Sequence, residues 1–216
     1  MCDDLLSLMT EDEEFLKQII FSDEATFNIN IDLSIAITAG YGDHLHQRKQ
    51  CNRYKEAPKS LHVAYWHQFR QDLQTFFEEN VKSANYLDML QQCFVPTLSR
   101  RARNTCIFQQ DGALAHYGKM VREYLDSTFP RRLIGRTGQM AWAPRSPDLY
   151  PLDFFMWGLL KDRVYHRKPH SSSSLKAFIE EEYSNVDQQS VKNAILSFQT
   201  RLKICVDNEG TSVEHY

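Results

Sequence analysis

The sequence predicts a mixed α/β domain whose central, mostly buried sheet is flanked by helices. Three observations predict it: apolar strands come first, a strand and a helix alternate through the middle, and helices with an apolar stripe fill the C-terminal part. The 216 residues suit one medium domain able to bury a sizeable core. A composition of 42% hydrophobic and 25% charged residues lies with globular proteins and away from disordered or fibrous ones.

An acidic segment, Thr10 to Glu14, with a possible helix ahead of it, leads into Phe15 to Phe21. The Ile19-Ile20-Phe21 run reads as a buried strand that continues through Phe27. Ile29, Ile31, Leu33, Ile35 and Ile37 alternate with polar or small residues, the period of a strand with one wet face. Residues 44 to 60 are polar and aperiodic and read as a loop. Leu61, Val63 and Tyr65 predict a third strand, and Asn85 to Gln92 a helix. Past the basic Arg100, Arg101 and Arg103, the run Thr105 to Phe108 reads as a short strand ending at Gln109-Gln110-Asp111-Gly112. Tyr117, Met120, Val121, Tyr124 and Leu125 share one face of a helix over 115 to 126. Residues 131 to 149 hold Gly, Pro, Ser and several arginines and read as a basic connector. Pro151 suits the first turn of a helix from Leu152 to Val164, where its missing N–H costs nothing. Helices from Leu175 to Tyr183 and Gln188 to Val206 follow, with Gly210 as a stop signal.

No stretch is apolar enough for a membrane span, and the acidic N-terminal residues argue against a signal or transit peptide. The five cysteines are scattered without a C-x-x-C pair, which predicts reduced thiols over a disulfide framework or a zinc cage. The net charge is -3, so any surface that grips nucleic acid must be local. Candidate basic clusters are Arg100, Arg101 and Arg103; Arg131, Arg132, Arg136 and Arg145; and Lys161, Arg163, Arg167 and Lys168.

Three acids stand at informative places: Asp23 within an apolar strand, Asp111 just after another, and Asp153 in the first turn of an apolar helix. A buried carboxylate needs a partner, and a divalent metal is one that oxygen ligands suit. Position alone leaves alternatives open, since Asp111 also fits a turn and Asp153 also fits a helix-dipole acid.

The words around these acids narrow the choice. Phe21-Ser22-Asp23-Glu24-Ala25-Thr26-Phe27 is the first. Gln109-Gln110-Asp111-Gly112-Ala113 with His116 is the second. Ser146-Pro147-Asp148-Leu149-Tyr150-Pro151-Leu152-Asp153-Phe154-Phe155, followed by Trp157-Gly158 and Leu160-Lys161, is the third. Together they resemble the three blocks of mariner-like transposases in the DDE/D superfamily. The resemblance extends over Asn80 to Leu98, Val121 to Gly135, Val164-Tyr165 and the tail from Leu175 through Gly210.

That resemblance implies a ribonuclease H-like mixed sheet flanked by helices, divergent or incomplete around strands two and three. It implies Asp23, Asp111 and Asp153 as the catalytic, metal-binding triad for Mg2+ or Mn2+, with Asp148 as a rival third ligand. Glu24 lies on the opposite strand face from Asp23, which argues against a shared metal. His116 matches the histidine of the second block, as a direct participant or as a packing residue. His116, Arg145 and Lys161 are candidates for DNA contact, while Trp157 reads most simply as core. The implied activity is DNA cleavage and strand transfer in the nucleus, with DNA and a second copy of the chain as candidate partners and no membrane. The competing reading is a truncated or domesticated relic that binds nucleic acid or protein without turnover. Residues 1 to 14 then read as a remnant of an interdomain linker, 15 to 170 as the catalytic core, and 171 to 216 as a helical extension packed on it. The family's N-terminal helix-turn-helix region has no counterpart ahead of Asp23. Residues 28 to 75 lose the family's words and read as a decayed or frame-shifted segment that should still supply sheet partners to the first strand.

Overall fold

The computed structural model describes residues 1–29, 60–68, 71–142 and 146–214. Among the described residues six strands form one sheet in the order β3-β2-β1-β4-β5-β6. β1 (Ile19–Asn28) pairs antiparallel with β2 (Ser60–Gln68), which pairs antiparallel with β3 (Gln71–Phe77). On its other side β1 pairs parallel with β4 (Ile107–Gln110), followed by the short β5 (Leu133–Gly135) and β6 (Met140–Ala141). The partner expected for the first strand from residues 28 to 75 is thus supplied by residues 60 to 68. The second strand expected over Ile29 to Ile37 and the loop over 44 to 60 lie outside the described residues, except for the buried Ile29 and for Ser60 in β2.

The apolar run at the start of β1 follows from burial on both faces, where a strand has no wet side to leave polar. Ile19, Phe21, Ala25 and Phe27 join one core layer, while Ile20 joins the other with Phe108 and Leu133. Asp23 shares the first set's parity and Glu24 the second's, so the neighbours face opposite sides of the sheet.

The first layer is covered by α1 (Cys2–Glu11), α2 (Phe15–Gln18), α7 (Gly158–His166), α8 (Ser172–Ser184) and α9 (Gln188–Asp207). The second is covered by α3 (Ser83–Met89), continued through a π turn over Leu90–Phe94 into α4 (Val95–Thr97), and by α6 (Lys119–Thr128). α5 (Arg100–Thr105) is a surface helix whose N-cap Ser99 accepts the Ala102 N–H. Leu5 and Met9 of α1, Leu175 and Ile179 of α8, and Val191, Ile195, Phe198 and Leu202 of α9 belong to one continuous core with Phe21. Ser171 and Ser174 cap α8 reciprocally, and Asp187 caps α9 by accepting the Ser190 N–H at 2.8 Å. Gly210, at φ 86°, ends α9 by donating its N–H to Cys205, as its position past the apolar stripe predicts.

Several elements differ from the sequence reading. Phe15 to Gln18 form a helical turn before the strand, and Arg100 to Thr105 form a helix where a basic lead-in is expected. The helix after Asp111 begins at Lys119, because Gly118 is its N-cap and brings it against α3. A Cβ on Gly118 would fall 2.3 Å from Ser83 Oγ. The connector over 131 to 149 contains β5 and β6, two strands too short to leave a periodic signal. Their turn depends on Gly138, whose absent Cβ would lie 2.2 Å from the Leu133 carbonyl oxygen. Among the described residues no helix is long and apolar enough to cross a membrane.

Candidate active site

Parallel pairing of β1 with β4 runs from Ile19↔Ile107 to Ser22↔Gln110, so Asp23 and Asp111 come next on the two central strands. Asp111 follows the carboxyl end of β4, where open α/β sheets gather ligands, while Asp23 lies midway along β1. Asp23 is 8% exposed, and its Oδ2 accepts the Trp157 indole N–H at 2.7 Å. Burial first, then Asp153 and Glu24, push its carboxyl well above the ordinary range, while the Trp157 hydrogen bond opposes that rise.

The third acid arrives by a different route. A 3-10 turn over Pro147–Leu149 leads to Tyr150, and a π turn over Leu152–Trp157 then opens α7. Tyr150 is buried; its hydroxyl donates to the Ser22 carbonyl and accepts the Ser22 N–H at 3.2 Å. It ties this segment to β1 one residue before Asp23. Asp153 is near the start of the π turn and Trp157 at its end, so one turn of backbone delivers both a carboxylate and the donor that holds Asp23. π turns carry more residues than an α turn and recur at functional sites. Desolvation by surrounding protein, then Asp111, push Asp153 up to about 6, with Lys161 opposing, although Asp153 itself presents an exposed surface. Lys161, one turn into α7, is held down by burial and drawn back up by Asp153 and Asp23.

On the other sheet face His116 is 2% exposed and lies between two carboxylates. Its Nε2 is 2.8 Å from Glu24 Oε2 and its Nδ1 2.6 Å from Asp111 Oδ1. Neither contact has aligned hydrogen-bond geometry, so the bridge is an ion pair more than a pair of directed bonds. Burial alone would lower the imidazole, but Glu24 and Asp111 outweigh it and push it up to about 10. The same bridge holds Asp111 below the ordinary carboxylate range against the pull of burial, helped by the Ala113 N–H at 2.9 Å from Oδ1. Glu24 therefore faces away from Asp23 yet is joined to Asp111 through His116.

The structure thus brings Asp23, Asp111, Asp153, His116 and Lys161 into one electrostatic neighbourhood. Asp148 lies apart, accepting the Val213 N–H at 2.7 Å and the Ser212 hydroxyl at 3.0 Å, which fixes the tail after α9. Arg145 falls outside the described residues. Trp157 and Tyr150 are the positioning residues that a sequence reading assigns to packing or passes over. The neighbourhood holds four carboxylates, Asp23, Glu24, Asp111 and Asp153, against the two cations His116 and Lys161. Among the described residues no three His, Cys, Asp or Glu side chains cage a metal by themselves. That arrangement still fits Mg2+ or Mn2+, hard ions that take oxygen donors; Mg2+ usually uses one or two carboxylates, with water and substrate phosphate completing the shell.

No family model matches the chain. Over 142 residues, 65% of the chain, it is 25% identical to the Tc3 transposase of Caenorhabditis elegans, and it spans 41% of that relative's length. Its fold is similar to the catalytic domain of Mos1 mariner transposase, with a TM-score of 0.72 at 21% identity, covering 99% of this chain and 92% of that one. It is similar to Mos1 transposase in a paired-end complex with the left transposon end, with a TM-score of 0.73 at 21% identity, covering 99% of this chain and 61% of that one. A Mos1 paired-end complex with Mn matches with a TM-score of 0.69 at 21% identity, covering 97% and 60%. The chain thus shares the fold of the Mos1 catalytic domain, and part of its sequence is similar to the Tc3 transposase.

Proposed function

We propose that the chain is the catalytic domain of a DNA transposase, with Asp23, Asp111 and Asp153 as its catalytic carboxylates for Mg2+ or Mn2+. One observation supports the reading: three acids from two central strands and a helix start share one neighbourhood, and Asp23 is charged there only against burial and three other carboxylates, Asp153, Glu24 and Asp111. A divalent cation removes that conflict. When bound, such ions stabilise charge on the attacking and leaving oxygens of a phosphoryl displacement.

The chain's own residues do the remaining work. Trp157 holds one Asp23 oxygen and leaves the other for a ligand. His116 neutralises Glu24 and keeps Asp111 ionised. Lys161 supplies a positive charge beside Asp153 for a DNA phosphate. In the first reaction water adds at phosphorus and the 3′ oxygen leaves; in the second, that 3′-hydroxyl attacks a target phosphorus and displaces that strand's 3′ oxygen. DNA is the proposed substrate, a second copy of the chain the proposed partner, and the nucleus the proposed place of action. Residues 15 to 170 would form the catalytic core and 171 to 216 its packed extension.

Supercoiled plasmid incubated with the purified protein and Mn2+ or Mg2+ tests this. The wild type should nick it, and Asp23→Asn, Asp111→Asn and Asp153→Asn should each lose about 100-fold or more. A folded wild type that nicks nothing with either metal would overturn the reading in favour of an inactive relic.

A further inference from the structure

Beside Asp111 the surface carries an unusual cationic pair. Tyr117 follows His116 directly and is 38% exposed. The guanidinium of Arg122, in the first turn of α6, lies 4.7 Å from the Tyr117 ring centroid. That of Arg136, just past β5, lies at the same 4.7 Å. A Cβ built on Gly112 would be 3.8 Å from Arg136 Cδ, so the aliphatic stem of Arg136 runs past the residue that follows Asp111.

Two like charges held against one ring repel each other, and the aromatic face offsets only part of that cost. Among the described residues neither guanidinium lies within ion-pair distance of a carboxylate. The Arg122 Nε is buried and has no hydrogen-bond partner there. Among the described residues no carboxylate offsets the remaining charge of the pair. A shared anion would satisfy both arms and give the buried Nε an acceptor, if its oxygens reach between them. Guanidinium forks match phosphate oxygens in shape as well as charge.

We propose that Tyr117, Arg122 and Arg136 form a phosphate clamp for the backbone of the DNA strand that enters the carboxylate site. This rests on the reading of the chain as a DNA-cutting domain and adds the residues that set the strand's path. The backbone is favoured over a free anion because the clamp touches Gly112 and adjoins His116. A phosphate held there therefore lies next to Asp111. Tyr117 is a positioning residue: its ring gathers both guanidiniums, each 4.7 Å from its centroid.

Fluorescence anisotropy with a labelled duplex of about 20 base pairs, in EDTA and across a salt series, tests the clamp. Losing two phosphate contacts should make the slope of log K against log salt shallower by about 1.8 in Arg122→Ala/Arg136→Ala, with affinity down about tenfold or more at low salt. Tyr117→Phe keeps the ring and should bind within about twofold of wild type, while Tyr117→Leu should lose about two- to fivefold. Arg122→Lys/Arg136→Lys keeps the charge, loses the planar fork, and should fall between the wild type and the double alanine variant. Millimolar inorganic phosphate should compete no better than its ionic strength explains. Wild-type DNA binding with an unchanged slope in a folded double variant overturns the clamp and leaves the DNA reading standing. Displacement by inorganic phosphate would reassign the site to a free anion. A wild type that binds no DNA even at low salt overturns both.

Discussion

Trp157→Phe isolates the hydrogen bond on which Asp23 depends. The substitution keeps an aromatic ring in the core and removes the indole N–H that reaches Asp23 Oδ2 at 2.7 Å, together with the space of the second ring. Trp157 is 5% exposed, so the lost volume costs about 1 kcal/mol. A hydrogen bond to an ionised carboxylate contributes about 1.5–3 kcal/mol, against about 1 kcal/mol when the acid is protonated. The sign with pH follows. Asp23 has a folded pKa above its ordinary value, so in metal-free protein its ionisation costs stability as pH rises from about 4 through the folded value. The indole N–H favours the ionised form, so removing it raises that pKa further and increases the cost at high pH. Urea unfolding in EDTA should therefore show Trp157→Phe about 2 kcal/mol less stable than wild type at a pH where Asp23 is protonated, and up to about 4 kcal/mol less stable at a pH above its raised folded value, where Asp23 is ionised. A deficit that is the same at both pH values, or below about 0.5 kcal/mol, would refute the claim that this bond holds a charged Asp23.

Asp153, raised to about 6, should destabilise the metal-free protein as pH climbs from about 4 to about 6 and add nothing further above that. Its exposed surface screens the effect to about 1 kcal/mol, and Asp153→Asn should flatten that stretch of the melting temperature against pH in EDTA. Asp148→Ala, which frees the Val213 N–H and the Ser212 hydroxyl, should cost about 1–3 kcal/mol in urea unfolding yet leave any Mn2+-dependent stabilisation intact. A lost metal response there would return Asp148 to the list of ligands. Gly138→Ala, whose Cβ meets the Leu133 carbonyl, should cost about 1–3 kcal/mol without touching metal binding.

The apolar run Ile19 to Phe21 marked the central strand because a strand buried on both faces has no polar positions to hide it. The stripe of Val191, Ile195, Phe198 and Leu202 marked the last helix, and the apolar runs around Asp23, Asp111 and Asp153 put them within a strand, just after a strand and at a helix start, as the structure has them. Other parts were not legible, for reasons of distance and length. β5 and β6 are too short to show a period, and so is the single helical turn from Phe15 to Gln18. Trp157 looks the same in sequence whether its N–H is idle or holds a carboxylate 134 positions away. The Glu24–His116–Asp111 bridge needs the register of β1 against β4 and the turn after Asp111, neither of which one chain segment encodes. Tyr150 is a similar case, since its two bonds to Ser22 cross from one motif to another.

The most direct test of the carboxylate site is a Mn2+ titration of the purified protein followed by the electron paramagnetic resonance signal of the free aquo ion. The wild type should remove Mn2+ from the free pool, Asp23→Asn and Asp111→Asn should abolish that uptake, and Asp148→Ala should retain it. Uptake that survives unchanged in folded Asp23→Asn and Asp111→Asn proteins would contradict the assignment of these residues as a metal-holding pair.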